Sequence, residues 1–440
     1  MTPPSHFTVV APIAPGREPG LRAMLDTMNT EPGVVDAANA LLPFAAFERL
    51  HFARFVILDD MTMGDLEVFG LPRPVLPQYL SFMGDCDGPA RAQLAELVQR
   101  AGEGLRRIFS HCEGFDAAGD LLGWLVAHDL PVATRYVNWI GRTVRQVHEE
   151  AALQRALSLR VPRPATGGAQ ADPQATRDAL VAFVRAEQAA GRLALTPPEP
   201  TPPGWQLRNL LHLIGIPAIG LVLAVLAIAL LPLAIVLAVW AAVTLRRHER
   251  SDPEYCPRPD AAAVLAMQQL EDHDLSNSFT AVGAVKPGRF RRALVQLVLV
   301  LIDYAARHLF ARGHLARVQT IHFARWVFLD DKTRMVFASS YDGSHESYMD
   351  DFINKAGWGL NLVFSNGFGW PRTAWLIKQG ARHELRFKHY QRRHQVPTQV
   401  WYKAYPGLTL TDLDRNRRIR DGLERAAMND AEALEWLGLL

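Results

Sequence analysis

Two arginines stand in the middle of stretches that are otherwise mostly apolar. Arg54 lies within residues 50–58 and Arg325 within residues 321–329. A buried guanidinium keeps its charge and must find an anion or several hydrogen-bond acceptors. The pattern is compatible with a buried salt bridge, for example to an acidic residue of a covering helix. It is equally compatible with an anion site for a carboxylate, a propionate or a peroxide intermediate.

Each arginine stretch is followed by an Asp-Gly pair, Asp87-Gly88 in the first case and Asp342-Gly343 in the second. Both pairs come directly before a predicted helix. An aspartate in this position accepts a backbone N–H, and a glycine supplies a positive φ. Ordinary turn and capping chemistry is therefore one interpretation of both pairs.

Three histidines lie close to these residues in the sequence. His51 and His322 begin the arginine stretches and point to the opposite face of a strand from the arginines. They are interpreted as strand-end histidines, with a ligand role as the alternative. His345 follows Asp342 by three residues and opens a predicted helix. A neutral imidazole there could serve as a ligand or base, or it could be a solvated first-turn residue.

Several common site types have no support in the sequence. No HExxH, CxxC, GxSxG, P-loop or GxGxxG motif is present, so zinc proteolysis, serine hydrolysis and nucleotide binding are not indicated. Three cysteines without CxxC spacing argue against a disulfide framework and fit a reducing compartment. The net charge is +2 and no stretch interleaves aromatic and basic residues, so no nucleic-acid partner is expected.

The candidate residues come in pairs because the sequence indicates an internal duplication. Three blocks match in the same order: residues 7–17 with 279–289, residues 51–60 with 322–331, and residues 101–114 with 356–369. Matching blocks in one order are typical of a repeated structural unit.

Periodicity and turn residues predict the same element order, β-α-β-β-α-(α)-β, in each copy. The last strand is predicted at residues 134–140 in the first copy and at 398–404 in the second. This order is the ferredoxin-like arrangement. Two such sheets can close on each other through their open faces. The predicted fold is therefore α+β, with two ferredoxin-like repeats forming a pseudo-dimeric α+β barrel.

The longest uncharged apolar run, residues 213–245, lies between the two copies. It is long enough to be inserted in a membrane. As one helix it would reach about 50 Å, well beyond a hydrocarbon core of about 30 Å, and Pro217 and Pro232 disfavour a straight helix. A hairpin turning near residues 230–233 is predicted, with a single tilted span or a buried core helix as alternatives.

Basic residues flank both ends of this run: Arg208 before it, and Arg246, Arg247 and Arg250 after it. Cations on both flanks favour a hairpin that returns to the cytoplasmic side. The predicted organisation is repeat 1 at residues 1–158, a linker with one helix at 159–204, the membrane-inserted segment at 205–250 and repeat 2 at 251–440. Helix 289–312 is also unusually apolar, which favours either the membrane interface or packing against the sheet.

The duplicated unit, together with Gly84-Asp85-Cys86-Asp87-Gly88 as a G-x-x-D-G motif, resembles the dimeric α+β-barrel superfamily. That superfamily includes the dye-decolourising peroxidases and the chlorite dismutases. In these peroxidases such an aspartate lies on the distal side of a haem, helped by an arginine, and a histidine is the axial ligand. The second copy departs from the motif, since Ser339 stands where the first glycine should be.

The resemblance implies a haem cofactor, but by motif it carries over only to Asp87 and assigns no axial histidine. With the recurring polar residues added, the candidate site has a catalytic group and a haem-binding group: Asp87, Asp342, Arg54 and Arg325 in the first, and His322 and His345 in the second. The first functional hypothesis is a membrane-associated oxidoreductase-like protein with haem-dependent peroxidase-type activity on a hydrophobic substrate. The second is a non-catalytic membrane-anchored scaffold or lipid-binding protein that retains the barrel. Both place the two repeats on the cytoplasmic side, with the lipid bilayer and a hydrophobic small molecule as partners.

Overall fold

The computed structural model describes residues 1–161, 172–310, 315 and 317–440 of a mixed α+β protein. Most of the Pro-, Gly- and Ala-rich tether predicted at residues 160–171 lies outside the described residues.

Two four-stranded antiparallel sheets form the centre of the molecule. The first copy contributes β1 (Pro4–Pro12), β2 (Leu50–Leu58), β3 (Tyr79–Asp87) and β4 (Val132–Val137). The second copy contributes β5 (Ser276–Ala284), β6 (Ile321–Leu329), β7 (Arg334–Asp342) and β8 (Thr398–Lys403). Two short hairpins pair Asn29–Glu31 with Val34–Val35 and Thr373–Ala374 with Lys378–Gln379.

The fourth strand of each copy belongs to the sheet of the other copy. The strand orders are β1-β3-β2-β8 and β5-β7-β6-β4. The sequence predicted instead that this strand would close its own unit. The outer edges of β2 and β6 would otherwise present unpaired N–H and C=O groups, and the exchanged strands pair there. Neither sheet is complete without the other copy.

Just before each exchange, the chain still touches its own first strand. Asp129 forms a bridge with Val9, and Gln395 forms the equivalent bridge with Ala281. These bridges connect the two sheets at both of their borders.

Helices surround the sheets. The first copy has α1 (Glu18–Asp26), α2 (Ala90–Phe109), α3 (Leu121–Ala127) and α4 (Val144–Ser158). Between the copies lie α5 (Pro173–Ala189), α6 (Pro203–Ala229), α7 (Leu231–Ser251) and α8 (Ala261–Gln268). The second copy has α9 (Arg289–His308), α10 (His345–Asp351), α11 (Gly357–Phe364), α12 (Glu384–His394), α13 (Leu410–Glu424) and α14 (Asp430–Leu437). Single 3₁₀ turns cover Phe44–Ala46, Met63–Phe69 and Gly380–Arg382, and a π turn covers Phe352–Ala356.

The duplication extends to local backbone geometry. Helix α2 leaves helical geometry at Ala101, with φ −134° and ψ 24°. Its matching residue Ala356, at the junction of the π turn and α11, has φ −124° and ψ 5°. Two alanines that match in sequence therefore interrupt the long helix of each copy at the same place.

Burial separates the faces of the sheets. The outer face of each sheet packs against the helices of its own copy in two large cores. The inner faces meet in a smaller cluster that takes residues from both copies, including Val56 of β2 and Val336 of β7. Every residue of β2 is buried, as predicted for a strand covered on both sides.

The apolar run forms two helices, α6 and α7, which we call the apolar helix pair. They meet at Leu230, within the region where the turn was predicted. Pro232 falls in the first turn of α7, where its missing N–H costs little, while Pro217 lies inside α6. Both helices are long and apolar enough to cross a membrane, and no residue of α6 is buried.

Both outer ends of the apolar helix pair rest on α9. His212 of α6 forms a 2.9 Å hydrogen bond with His308 at the end of α9. The rings of Trp240 and His248 of α7 lie 5.8 and 5.9 Å from the ring of Phe290 at the start of α9. Helix α9 is buried on one face and leaves Leu297 56% exposed on the other. One face of α9 therefore packs in the core of the second copy, which was one of the two predicted roles.

Candidate functional site

Arg54 projects from the centre of β2 into the other copy's sheet. Its Nη1 donates to the carbonyl oxygens of Phe279 and Ser339, at 3.1 and 2.9 Å. Its Nη2 donates to Ser340 Oγ at 2.7 Å. The indole of Trp401 on β8 lies 4.7 Å from the guanidinium carbon, a cation–π distance.

Arg325 occupies the equivalent position on β6 and enters the first copy's sheet. Its Nη1 donates to the carbonyl oxygens of Phe7 and Gly84, at 2.9 and 3.4 Å. Its Nη2 donates to the carboxylate of Asp85. Phe7 matches Phe279 in the repeat, so the two arginines use equivalent main-chain acceptors. Arg325 forms the salt bridge predicted as one alternative, although its partner comes from a strand and not from a helix.

Arg54 has no carboxylate partner among the described residues. Burial, together with the neighbouring positive charge of Arg325, lowers the pKa of Arg54 to about 9, while Asp85 acts in the opposite direction. Its charge is held by carbonyl and hydroxyl oxygens and by the Trp401 ring. These donors are therefore occupied by protein groups, and neither arginine faces any of the five cavities found in the described part of the chain.

The two aspartates bind the two strand-end histidines. His51 Nε2 lies 3.0 Å from Asp87 Oδ1, and His322 Nε2 lies 2.6 Å from Asp342 Oδ1. All four side chains are buried. The pairing joins neighbouring strands of one sheet, since β2 pairs with β3 and β6 pairs with β7.

The second oxygen of each aspartate accepts a backbone N–H at the start of a helix. Asp87 Oδ2 accepts from Val144, the first residue of α4, at 2.9 Å. Asp342 Oδ2 accepts from Leu410, the first residue of α13, at 2.7 Å. These N–H groups have no partner within their helices, and a negative charge is favourable there. Both aspartates therefore cap a helix, as that interpretation predicted. However, each caps a helix further along the chain, and not the helix that begins directly after it.

The two His-Asp pairs flank a shared aromatic cluster. Tyr405 Oη lies 3.1 Å from His51 Nδ1, and the rings of Phe52 and Phe323 lie 5.8 Å apart. On the other side, Ser276 Oγ donates to Asp342 Oδ1 at 2.8 Å. Sequence reasoning named both histidines and both aspartates but did not pair them. The signal was available, because all four recur at matching positions of the two copies.

His345 forms its contacts with residues outside these two His-Asp pairs. It is buried at the start of α10, with its ring 5.8 Å from that of Phe279, so it is not the solvated first-turn residue that was one alternative. Burial lowers its pKa to about 3, and the positive charge of Arg392 acts in the same direction. The ring is therefore neutral at ordinary pH.

The residues do not fit a haem at the predicted site. His322 Nε2, which would bind iron, is engaged by Asp342. The largest of these five cavities, about 1130 Å³, contains Asp87 in its wall, which otherwise mixes charged side chains such as Glu48 and Arg145 with prolines and alanines. No histidine lines this cavity or the other four. Nor do three or more His, Cys, Asp or Glu residues of the described ranges come together as a metal site.

No protein-family model, curated protein or solved structure matches the chain. The resemblance to the barrel superfamily therefore depends on the residues quoted for it.

Proposed function

We propose that this protein is a membrane-anchored scaffold and lipid-binding protein rather than an enzyme. In this proposal the eight strands form a pseudo-dimeric α+β barrel on the cytoplasmic face of a membrane, and the apolar helix pair enters the bilayer as a hairpin. The observation that carries the proposal is the contact of both outer ends of this pair with one helix, α9.

Exposure of the apolar helix pair supports insertion in lipid. Large apolar side chains are exposed along both helices, and Leu221, Ile228 and Val236 are 63–73% exposed. A contiguous apolar surface of this extent in water would be an aggregation liability. A bilayer removes that liability, since it needs apolar side chains and helical backbone at this depth.

The exchanged strands support a same-side arrangement. Each sheet contains three strands of one copy and one strand of the other, so a bilayer cannot lie between the copies. The segment joining them must therefore leave and return through one face, as a hairpin does. Arg208 at one end and Arg246, Arg247 and Arg250 at the other favour the cytoplasmic side for both ends.

The strand order supports the barrel. Hydrogen-bonded neighbours run from β1 to β8 in one sheet, across the Gln395–Ala281 bridge into the second sheet, and back across the Asp129–Val9 bridge. This closed path is what a barrel of two repeats requires. It differs from a ferredoxin-like unit in the exchange of the fourth strand.

The contacts at the candidate site favour a structural role. A catalytic acid, base or anion donor must be able to reach a substrate. Arg54, Arg325, Asp87 and Asp342 are instead buried and bonded to other protein groups. The oxidoreductase hypothesis has no contact in its favour, and a haem titration separates it from the scaffold.

Membrane anchoring is tested by fractionation and protease protection. The protein is expected in the membrane fraction and should resist extraction by alkaline carbonate. Tags at the two termini should both be protected in intact spheroplasts and both be cleaved in inverted vesicles. Termini in opposite compartments, or a protein released by carbonate, would contradict the proposal. Haem added to the purified protein should give no Soret band; a band that disappears in His322→Ala would revive the oxidoreductase hypothesis.

A further inference from the structure

A small cavity of about 130 Å³ lies where α6 leaves the sheets, and three arginines line it. They come from three separate elements: Arg135 from the edge strand β4, Arg208 from the beginning of α6 and Arg307 from the last turn of α9. Trp205 and Asn209 of α6 also contribute to the wall. We call this space the basic cavity.

Positive charge in the basic cavity exceeds the nearby negative charge. No carboxylate is among its described lining residues, and Asp303, outside the wall, forms a 2.7 Å salt bridge with Arg307. It also lies 3.4 Å from His212 Nε2 and from the backbone nitrogen of Arg135. Within the described residues, the guanidinium groups of Arg135 and Arg208 have no hydrogen-bond acceptor. Asp303 therefore compensates the charge of Arg307 alone among the three arginines that line the cavity.

The surroundings of Arg135 agree with this imbalance. It stands directly opposite Arg325 in the β4–β6 register. Burial, together with the positive charge of Arg307, lowers the pKa of Arg135 to about 10, while Asp303 acts in the opposite direction. A cation placed between two other cations attracts an external anion.

The basic cavity lies at the level where the apolar surface begins. Trp205 stands just before the first exposed apolar residues of α6, and Leu207, Leu210 and Leu211 are 57%, 49% and 61% exposed. Tryptophan and arginine next to such a run are typical of the membrane–water interface. Lipid phosphates occupy this level of a bilayer.

We propose that the basic cavity binds the phosphate of an anionic phospholipid in the leaflet that α6 enters. Arg135, Arg208 and Arg307 donate to the phosphate oxygens, and the acyl chains lie along the exposed face of α6. The volume is below that of pockets for drug-sized ligands, roughly 300–1,000 Å³, and suits a single small anionic group. This inference rests on the proposed membrane anchoring and names the lipid class that the anchor selects.

The experiment measures lipid binding to the full-length protein in detergent by native mass spectrometry. Phosphatidylglycerol and phosphatidylcholine are titrated separately into the parent protein and into Arg135→Gln. Loss of a charge-assisted hydrogen bond should weaken phosphatidylglycerol binding roughly tenfold or more and leave phosphatidylcholine binding unchanged. Arg208→Gln, a change at an exposed side chain, gives a second reading if Arg135→Gln does not fold.

Arg250→Gln is the matched control, because Arg250 is exposed at the other end of the apolar helix pair and lines none of the five cavities. It removes the same charge near the same interface. If it weakens phosphatidylglycerol binding as much as Arg135→Gln does, the effect is general surface charge and the proposal fails.

A further arm distinguishes lipid from free anion. Inorganic phosphate is added to delipidated protein, and protection of Arg135 from a guanidinium-modifying reagent is followed. Equal protection by phosphate and by phosphatidylglycerol, with no preference over phosphatidylcholine, would assign the cavity to a soluble anion and overturn the proposal. Recovery of the protein in the membrane fraction distinguishes the two proposals. A protein that resists carbonate extraction but does not prefer phosphatidylglycerol would contradict the lipid site in the basic cavity and would leave the membrane anchoring intact.

Discussion

Arg54 and Arg325 occupy equivalent positions in the two copies, but only Arg325 has a carboxylate partner. Both bind equivalent main-chain carbonyls of the opposite copy. At the next position, Arg325 meets Asp85 where Arg54 meets Ser340. The duplication thus preserved the main-chain acceptors and changed the counter-charge.

The residue on the paired strand directly opposite each arginine also differs between the two copies. The register places Trp401 across from Arg54 and Arg135 across from Arg325. An aromatic ring therefore covers the arginine that lacks a carboxylate. The arginine that has one faces a second cation instead, and that cation reaches the basic cavity. Divergence of two once-equal sites accounts both for the missing carboxylate at Arg54 and for the second cation opposite Arg325.

The largest effect is expected from Arg325→Met. It leaves the Asp85 carboxylate buried without its partner, which typically costs about 3–5 kcal/mol. Urea unfolding of the detergent-solubilised protein, followed by tryptophan fluorescence, measures the loss. A loss below about 1 kcal/mol would show that the salt bridge is not the important difference between the sites.

Moving the carboxylate from the Arg325 site to the Arg54 site tests whether the two sites are equivalent. Asp85→Ser leaves both buried arginines without a carboxylate and should cost about as much as Arg325→Met. Adding Ser340→Asp places a carboxylate next to Arg54, because Ser340 Oγ already lies 2.7 Å from its Nη2. A double-mutant cycle should give a favourable coupling of roughly 1–3 kcal/mol. Additive losses would mean that the two sites are not interchangeable.

Arg54→Met should have a smaller effect than Arg325→Met. It removes hydrogen bonds to carbonyl and hydroxyl oxygens, for a cost of about 1–3 kcal/mol, but strands no carboxylate. It also relieves repulsion between the two arginines. The same urea experiment ranks the two variants. If Arg54→Met loses as much free energy of unfolding as Arg325→Met, or more, the ranking is contradicted.

The smallest effect concerns pH and a difference between the copies at α10. His345 is buried in the second copy where the first copy has Ala90. Its pKa is lowered to about 3 in the folded protein, while an unfolded histidine titrates near 6.5. As pH falls below about 6.5, the unfolded chain takes up a proton that the folded protein does not, so stability falls until about pH 3.

This difference in proton uptake should make the free energy of unfolding roughly 2 kcal/mol lower at pH 5 than at pH 7. His345→Leu should therefore lose less stability than the parent between pH 7 and pH 5, as measured by urea unfolding at both values. His383→Leu, at an exposed position, is the control. Identical pH dependence in parent and His345→Leu would contradict the assignment.

Much of the secondary structure could be predicted from local pattern. Strands such as Leu50–Leu58 and helices such as Glu384–His394 begin and end where periodicity places them. The turn near residues 230–233 followed from proline and length. These features depend on neighbours in sequence, and the hydrophobic pattern records them directly.

The candidate site could be predicted only as a set of residues. The recurrence of His51, Arg54 and Asp87 as His322, Arg325 and Asp342 showed that they matter to the fold, but it did not show what each one binds. Their partners lie on other strands and later helices, at long distances along the chain. Haem binding was inferred from a short motif, and the contacts around His322 do not favour it.

The sequence by itself determined the repeated unit, the apolar segment between its copies and the pairs of polar residues that recur. Tertiary structure alone decided that β4 and β8 change sheets and that each arginine forms its hydrogen bonds with the other copy. The physical reason is that an amphipathic pattern specifies which face of a strand is buried, whereas any free sheet edge can accept a strand. Which edge is chosen depends on packing that only the folded chain contains.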